Sequence, residues 1–484
     1  MRPKNIIASV LIALFLKAAP VIAGDVPDIG SPHSKYLSPQ QEAEVGRQMM
    51  RRVKESAALI TDPEINAYIK SLGNKLVNAT DNNDLPKFTF FIIASDQINA
   101  FAAPGGYIGI FTGLINATRS ESELASVVAH EIGHITQSHL ARRIAEYERM
   151  SVPRIAALLA SILIATQDPE AGSAALISSN AASIQHQLAY SRTAEREADN
   201  IGLKVLTAAG YDPRGLTDFF KTLQDKYIYA GKPIEYLSTH PLTNSRISEA
   251  NARINPNYKW MGNDSRNYTL IKTKLKVNSF SDPQKALEKY TQLIKQDNSF
   301  SNRYGYALAQ IKIGNYAEAE KTALQLTKDD AERVAYLIVL GQSQLKQTKY
   351  DKCFATYKKA LSIYPNNFPL MHHYLVALLY SKSYTKGLDL IQNNLELAKQ
   401  HPELYKLAAD LAANSKKQWL AYEFMGDYYQ YNFYQSELAR EHYKKALASI
   451  NSAPNKVQNK KVAIPRVESK ISVINIKEIK NRKQ

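Results

Sequence analysis

Three tyrosines set the architecture of the second half of this chain. Tyr316, Tyr350 and Tyr384 lie 34 residues apart, inside the segments GNYAEA, TKYDKC and KSYTKG. A fixed period of that length belongs to units of two helices, none of which buries its apolar face alone, so neighbours must stack into a solenoid. The middle copy shows the fullest pattern, with Leu340 and Gly341 in its first helix, Cys353, Tyr357 and Ala360 in its second, and Pro365 at the break. Half-repeats flank the three copies, DPQKALEKYTQL before them and ELAREHYKKALASI after. One such tyrosine would be ordinary core packing; three at a single period with matching neighbours predict an all-α repeat domain over 281–450. Cys353 falls where a small residue packs between the two helices of a unit, which predicts a buried, inert thiol.

The first half follows other rules. FTFFIIAS (88–95) is β-branched and aromatic, and YIGIF (107–111) follows the turn-prone APGG at 103–106, so both read as strands. Helical spacing, as in Val45, Met49 and Val53, surrounds them. The sum is a mostly helical α+β domain with a small sheet over 41–255, joined by a linker at 256–280 to the repeats. With 484 residues, 45% of them hydrophobic, the chain can hold two such cores. Gly105, Gly106 and Gly109 lie within strand-like sequence and do not make a phosphate-binding fingerprint.

The N-terminus sets the compartment. Arg2 and Lys4 precede an apolar run from Ile6 to Leu16, and Val21-Ile22-Ala23 suits signal peptidase, so residues 1–23 read as a removed export signal and 24–40 as an extended lead-in. Lys17 interrupts the run short of the roughly 20 residues a membrane anchor needs. RIAALLASILIAT (154–166) is too short to span a bilayer for the same reason and reads as a buried helix or a lid. Cys353 is the single cysteine, so the exported chain has no internal disulfide to rest on. The formal charge of +16 is concentrated at the end: from Lys456 to Lys483 nine Lys or Arg stand against Glu468 and Glu478, a net +7. The basic segment 451–484 reads as a flexible, solvated tail, with peripheral contact to anionic membrane lipid as the other reading. Nucleic acid ranks third as a partner, because the expected export signal sends the chain away from it.

SVVAHEIGHITQSHL, residues 126–140, carries the chemistry. Ser120 and Glu123 form a capping box that starts a helix, and Leu124, Val127 and Val128 give it an apolar face. On that helix His130 and His134 stand four apart, on one face and about a turn from each other, so both rings can reach one ion. Zinc favours nitrogen donors, and Glu131 beside them can take a proton from an attacking water. The motif alone also fits an ordinary helix, because a catalytic zinc needs a third protein ligand. Gln137 and Leu140 exclude the metzincin continuation. His139, five residues past His134, falls on a different helix face, as a surface histidine or one that hydrogen-bonds a ligand. A later helix in AYSRTAEREADNIGLKVL (189–206) offers Glu195 and Asp199 on one face, with Glu197 toward solvent.

These residues carry a resemblance. H-E-x-x-H, then S-R-x-x-E-x-x-A-D at 191–199, then STHPLTNSRI at 238–247 resembles the gluzincin metallopeptidases that include the HtpX membrane proteases and the CaaX prenyl proteases. INAFAAPGGYIGIFTGLI (98–115) is similar to the strand segment beside the active-site helix in that group. The 34-residue units resemble tetratricopeptide repeats. The resemblance implies a zinc endopeptidase holding one Zn2+ per chain through His130, His134 and Glu195, with Asp199 as partner to a ligand and Glu131 as the catalytic base. With an export signal ahead and repeats behind, it implies a periplasmic protease, with chaperone activity, acting on unfolded or misassembled outer-membrane proteins beside the β-barrel assembly machinery. The rival reading is a repeat-based chaperone or scaffold with a largely latent protease domain. His240 precedes Pro241 and so should be extended or in a turn. The resemblance leaves it two roles, as a donor to the oxyanion or as a fourth metal ligand that holds the enzyme off. A loop ligand can swing away whereas helix ligands cannot, which favours the second.

Overall fold

The computed structural model describes residues 37–483 except 57, 82–84, 147–150, 166–190, 231–233, 256–257, 433–434 and 453–459. The expected export signal at 1–23, and all of the lead-in before residue 37, lie outside them. Helices α1 (Pro39–Ser56) and α2 (Pro63–Val77) come first. Asp62 caps α2, accepting from the Glu64 and Ile65 amides, and Pro63 opens the helix where its missing N–H costs nothing. Strands β1 (Thr89–Ile93), β2 (Ala100–Ala103) and β3 (Tyr107–Phe111) form a sheet in the order β1-β3-β2. β3 runs parallel to β1 and antiparallel to β2, with Gly109 opposite both Phe91 and Phe101. Gly105 and Gly106, at φ of 77° and 84°, make the turn that folds β2 back and leave it as an edge.

After α3 (Thr112–Ala117), the helix α4 (Glu121–Thr136) is buried from Glu121 through His134, as expected for a helix at the centre of a core. Ser120 accepts from the Glu123 amide and Glu123 from the Arg119 amide, which realises the capping box one residue early. After α4 come α5 (His139–Glu146), α6 (Val152–Ala165), α7 (Arg192–Ala208), α8 (Arg214–Ala230), α9 (Glu235–Thr239) and α10 (Asn244–Arg253), of which α5, α7 and α8 pack directly on it. α6 holds most of the apolar 154–166 stretch and buries Ile155, Ala156 and Ala160 with Val45, Met49 and Val53 of α1. It is a packed helix, and no described helix is long and apolar enough to cross a membrane.

The expected linker at 256–280 is corrected. Most of it is the helix α11 (Arg266–Ser279), whose Tyr268, Ile271 and Leu275 join the core of the first half while Leu270 and Val277 join that of the first repeat. Its apolar residues lie on two faces because it serves two cores. The repeats follow as α12 (Pro283–Gln296), α13 (Phe300–Lys312), α14 (Tyr316–Asp329), α15 (Val334–Lys346), α16 (Tyr350–Ile363), α17 (Phe368–Tyr380), α18 (Tyr384–Gln392), α19 (Leu395–Gln400), α20 (Glu403–Asn414), α21 (Gln418–Tyr431) and α22 (Ser436–Ser452). Each periodic tyrosine is the first residue of a helix, two positions after a left-handed residue: Gly314 (φ 84°), Thr348 (58°) and Lys382 (58°). Lys416 (60°) continues the 34-residue period once more, without a tyrosine to mark it. In each turn the residue after the left-handed one donates back to a carbonyl five residues earlier, as Lys349 does to Gln344. Cys353 is fully buried, and burial pushes its thiol up to about 12, so it is inert at neutral pH.

The flexible tail is corrected as well. Residues 460–483 form the helix α23 (Lys460–Lys483), which buries Ala463, Val467 and Ile474 against α22 and its neighbours. Arg466 reaches both Glu423 oxygens at 2.7 and 2.8 Å, and Lys470 bridges Glu423 and Asp427. Some of the tail's positive charge is there to neutralise two buried acids of α21.

One buried ion cluster joins the halves. Lys274 of α11 pairs with Glu64 and with Asp62 (2.7 Å), and His373 of α17 lies 3.6 Å from Glu64. Burial alone would raise the Glu64 carboxyl, but the Lys274 charge and His373 pull it down to about 2. A carboxyl depressed on folding stabilises the protein above its ordinary pKa and ceases to do so as pH falls through the folded value. Denaturant titrations at pH 6 and pH 3 should therefore show the wild type losing about 2 kcal/mol more than Glu64→Gln, since the other depressed carboxyls titrate alike in both proteins. Equal losses in the two proteins would show that this cluster does not hold the halves together.

Candidate metal centre

Two glycines let α4 and α7 cross closely. A Cβ on Gly133 would sit 3.0 Å from the Ala198 carbonyl oxygen, and one on Gly202 would sit 3.1 Å from the His130 amide nitrogen. Ser191 caps α7 by accepting from the Ala194 amide, so Glu195 lies in the first turn and faces the two histidines of α4. His240, at the C-terminal end of α9 with φ −123° and ψ 78°, is outside the helical region, as its following proline requires.

The four side chains converge. His130, His134, Glu195 and His240 are all buried and offer one donor atom each within 4.8 Å of one another. His130 Nε2 is 3.0 Å from His134 Nε2 and 3.3 Å from His240 Nδ1, while Glu195 Oε1 is 2.9 Å from His240 Nδ1 and 3.4 Å from His134 Nε2. Four ligands at roughly 2.0–2.1 Å in a tetrahedron around zinc stand about 3.4 Å apart, so the donor set fits that ion in number, type and spacing. Glu131 is fully buried, and Oε1 lies 3.5 Å from His240 Nε2.

Each inner residue is held from behind. Asp199 Oδ1 is 3.0 Å from His130 Nδ1, the partnership expected of it. The buried Arg246 of α10 grips Asp199 with two hydrogen bonds (2.7 and 2.8 Å) and reaches Glu195 Oε2 at 2.5 Å. Tyr236 stacks on the His240 ring with centroids 4.5 Å apart. His139 is buried with its Nδ1 2.8 Å from His134 Nδ1, so of the two readings offered by the sequence the surface one is corrected; Glu197, partly exposed, pairs with it at 2.9 Å.

The charges follow from this packing. Burial pushes the Glu131 carboxyl up from its ordinary value, reinforced by Glu195 and opposed by His240 and His130. Burial holds the His134 ring well below its ordinary value, and therefore neutral. Burial would raise Glu195 too, but His240, His134 and His130 outweigh it and hold that carboxyl well down. His240 is raised, with the Glu195 and Glu131 charges overcoming burial. Arg246 went unassigned from sequence, although a buried Glu195–Asp199 pair needs a cation and STHPLTNSRI supplies one.

Residues 63–254 match the model of peptidase family M48. The chain is 34% identical over 370 residues to the β-barrel assembly-enhancing protease of Escherichia coli K12, covering 75% of this chain and 76% of that one. It is 38% identical over 317 residues to a Vibrio cholerae protein provisionally given the same name, covering 65% of each. The mitochondrial metalloendopeptidase OMA1 of Arabidopsis thaliana is 29% identical over 228 residues, 46% of this chain and 44% of that one.

If the helix crossing sets the ligand geometry, Gly202→Val should force α7 off His130 and weaken zinc binding by about 10-fold or more, within the range found when metal-ligand supports are lost. Competition with a chromogenic chelator measures it. Unchanged affinity would show that the close approach is incidental to the site.

Proposed function

The chain belongs to peptidase family M48, and from that premise we propose that it is a periplasmic zinc endopeptidase that removes unfolded or misassembled outer-membrane proteins. The observation that carries the reading is the convergence of three imidazole nitrogens and one carboxylate oxygen beside the fully buried Glu131. The family is zinc-dependent, and the fit of donor number and spacing supports one Zn2+ per chain. When bound, zinc polarises the scissile carbonyl and acidifies water.

In this reading His130, His134 and Glu195 hold the ion, and Arg246 and Asp199 keep Glu195 and His130 in place. Glu131 takes the proton of the attacking water and returns it to the leaving amine. Its burial raises its proton affinity above that of an ordinary carboxylate, which suits a group that must both accept and donate. The edge strand β2 lies against α4, so an extended peptide can pair with it and pass in front of Glu131. The stacked helices provide an extended surface for clients and for the β-barrel assembly machinery, and would carry the chaperone activity. The name of the Escherichia coli relative supports that assignment of target. Peripheral contact with anionic lipid would fall to the basic residues of α23 other than Arg466 and Lys470, which are engaged with α21.

A largely latent protease is favoured by one feature. His240 presents Nδ1 to the other donors and Nε2 to Glu131, so it occupies the space that water needs and contacts the base. We read it as a latch carried on the end of a short helix, which leaves when a client engages.

Two predictions follow from these roles. Glu131→Gln should keep its zinc and lose casein cleavage by about 100-fold or more, whereas Glu195→Gln should lose zinc as well; a Glu195→Gln protein with full zinc and activity would remove the third ligand from this scheme. His240→Ala should raise turnover of casein per bound zinc. A clear fall instead would discard the latch and leave His240 as a donor to the oxyanion.

A further inference from the structure

We propose that His139 is a positioning residue for the metal centre: it fixes the tautomer and orientation of His134, and Glu197 fixes His139 in turn. The inference rests on the reading of the cluster as a zinc site.

With His134 Nε2 committed to the ion, the described contacts set the proton arrangement. His134 directs Nε2 at the other donors, so its lone pair is committed there, and the neutral ring carries its proton on Nδ1. That N–H meets His139 Nδ1 at 2.8 Å, which must then be the acceptor. His139 consequently carries its proton on Nε2 and donates it to Glu197 Oε2 at 2.9 Å. The opposite tautomer of either ring would set two lone pairs or two protons against each other. His130 receives the same service more directly, from Asp199.

The backbone is bent to make this contact. In an unbroken helix a residue five positions on is rotated about 140° from His134 and faces away. Gln137 instead ends α4, Ser138 takes φ 49°, and α5 begins at His139 with its ring turned back onto His134. A serine in the left-handed region costs on the order of 1 kcal/mol, and such strain persists where the surroundings enforce it. The far end of the relay is held at the surface, where Arg142 approaches the same Glu197 oxygen at 3.5 Å.

The test compares wild type, His139→Phe, His139→Gln and Glu197→Ala by zinc affinity in chelator competition at neutral pH, with thermal unfolding of the metal-free proteins alongside. His139→Phe fills the space but accepts no proton, and should bind zinc about 10- to 100-fold more weakly. His139→Gln can accept from His134 through its carbonyl and donate to Glu197 through its amide, and should recover most of that loss at similar metal-free stability. Glu197→Ala, at a partly exposed position, should show a smaller loss of affinity. A Phe variant that binds as tightly as wild type overturns the relay, and so does a Gln variant no better than Phe, because packing alone would then explain the position. Wild-type protein that takes up no zinc overturns the metal reading itself, a result distinct from either.

Discussion

The close crossing of α4 and α7 is the contact on which the rest of this molecule depends. Two histidines on one helix can point at a common spot, but nothing in a helix alone brings a carboxylate to face them. That requires a second helix within reach, and side chains at Gly133 and Gly202 would hold it off. The sheet, the capping of α4 by Ser120 and the burial of α4 on every side keep the first helix still. The Ser191 cap and the packing of Val205 and Leu206 into the same core keep the second in register.

Bringing carboxylates into such a core is costly unless they are paired. Arg246 answers that cost for both Glu195 and Asp199, and it comes from α10, which follows the loop that carries His240. Metal ligation and the balance of buried charge are therefore coupled through the short segment from α9 to α10. The same logic appears at two other places, where Lys274 joins the halves through Asp62 and Glu64, and where Arg466 and Lys470 hold α23 onto Glu423 and Asp427. In each case a cation distant in sequence closes on a pair of acids.

That pattern explains what could be read from sequence. His130, Glu131 and His134 were legible because their spacing is local to one helix, and Glu195 and Asp199 because a second local pattern repeats a known family signature. The tyrosine period exposed the repeats for the same reason. His139 was left between two readings because five residues on a regular helix do point elsewhere; the left-handed Ser138, with no glycine to announce it, turns the ring back and decides for contact with a ligand. The segments taken for a linker and a flexible tail are charged and lack one clean apolar stripe. α11 divides its apolar residues between two cores, and α23 owes much of its attachment to ion pairs whose acidic partners lie some 40 residues earlier. Such contacts have no signature in the segment itself.

The central claim is that four residues from three separate segments close on one zinc ion, three through imidazole nitrogen and one through carboxylate oxygen. X-ray absorption at the zinc edge of the resting wild-type protein tests it most directly. The account predicts one zinc per chain with a first shell of four N or O atoms at about 2.0–2.1 Å and outer-shell scattering from three imidazoles, reduced to two in His240→Ala. A resting spectrum with only two imidazoles, or one unchanged by removal of His240, would contradict it.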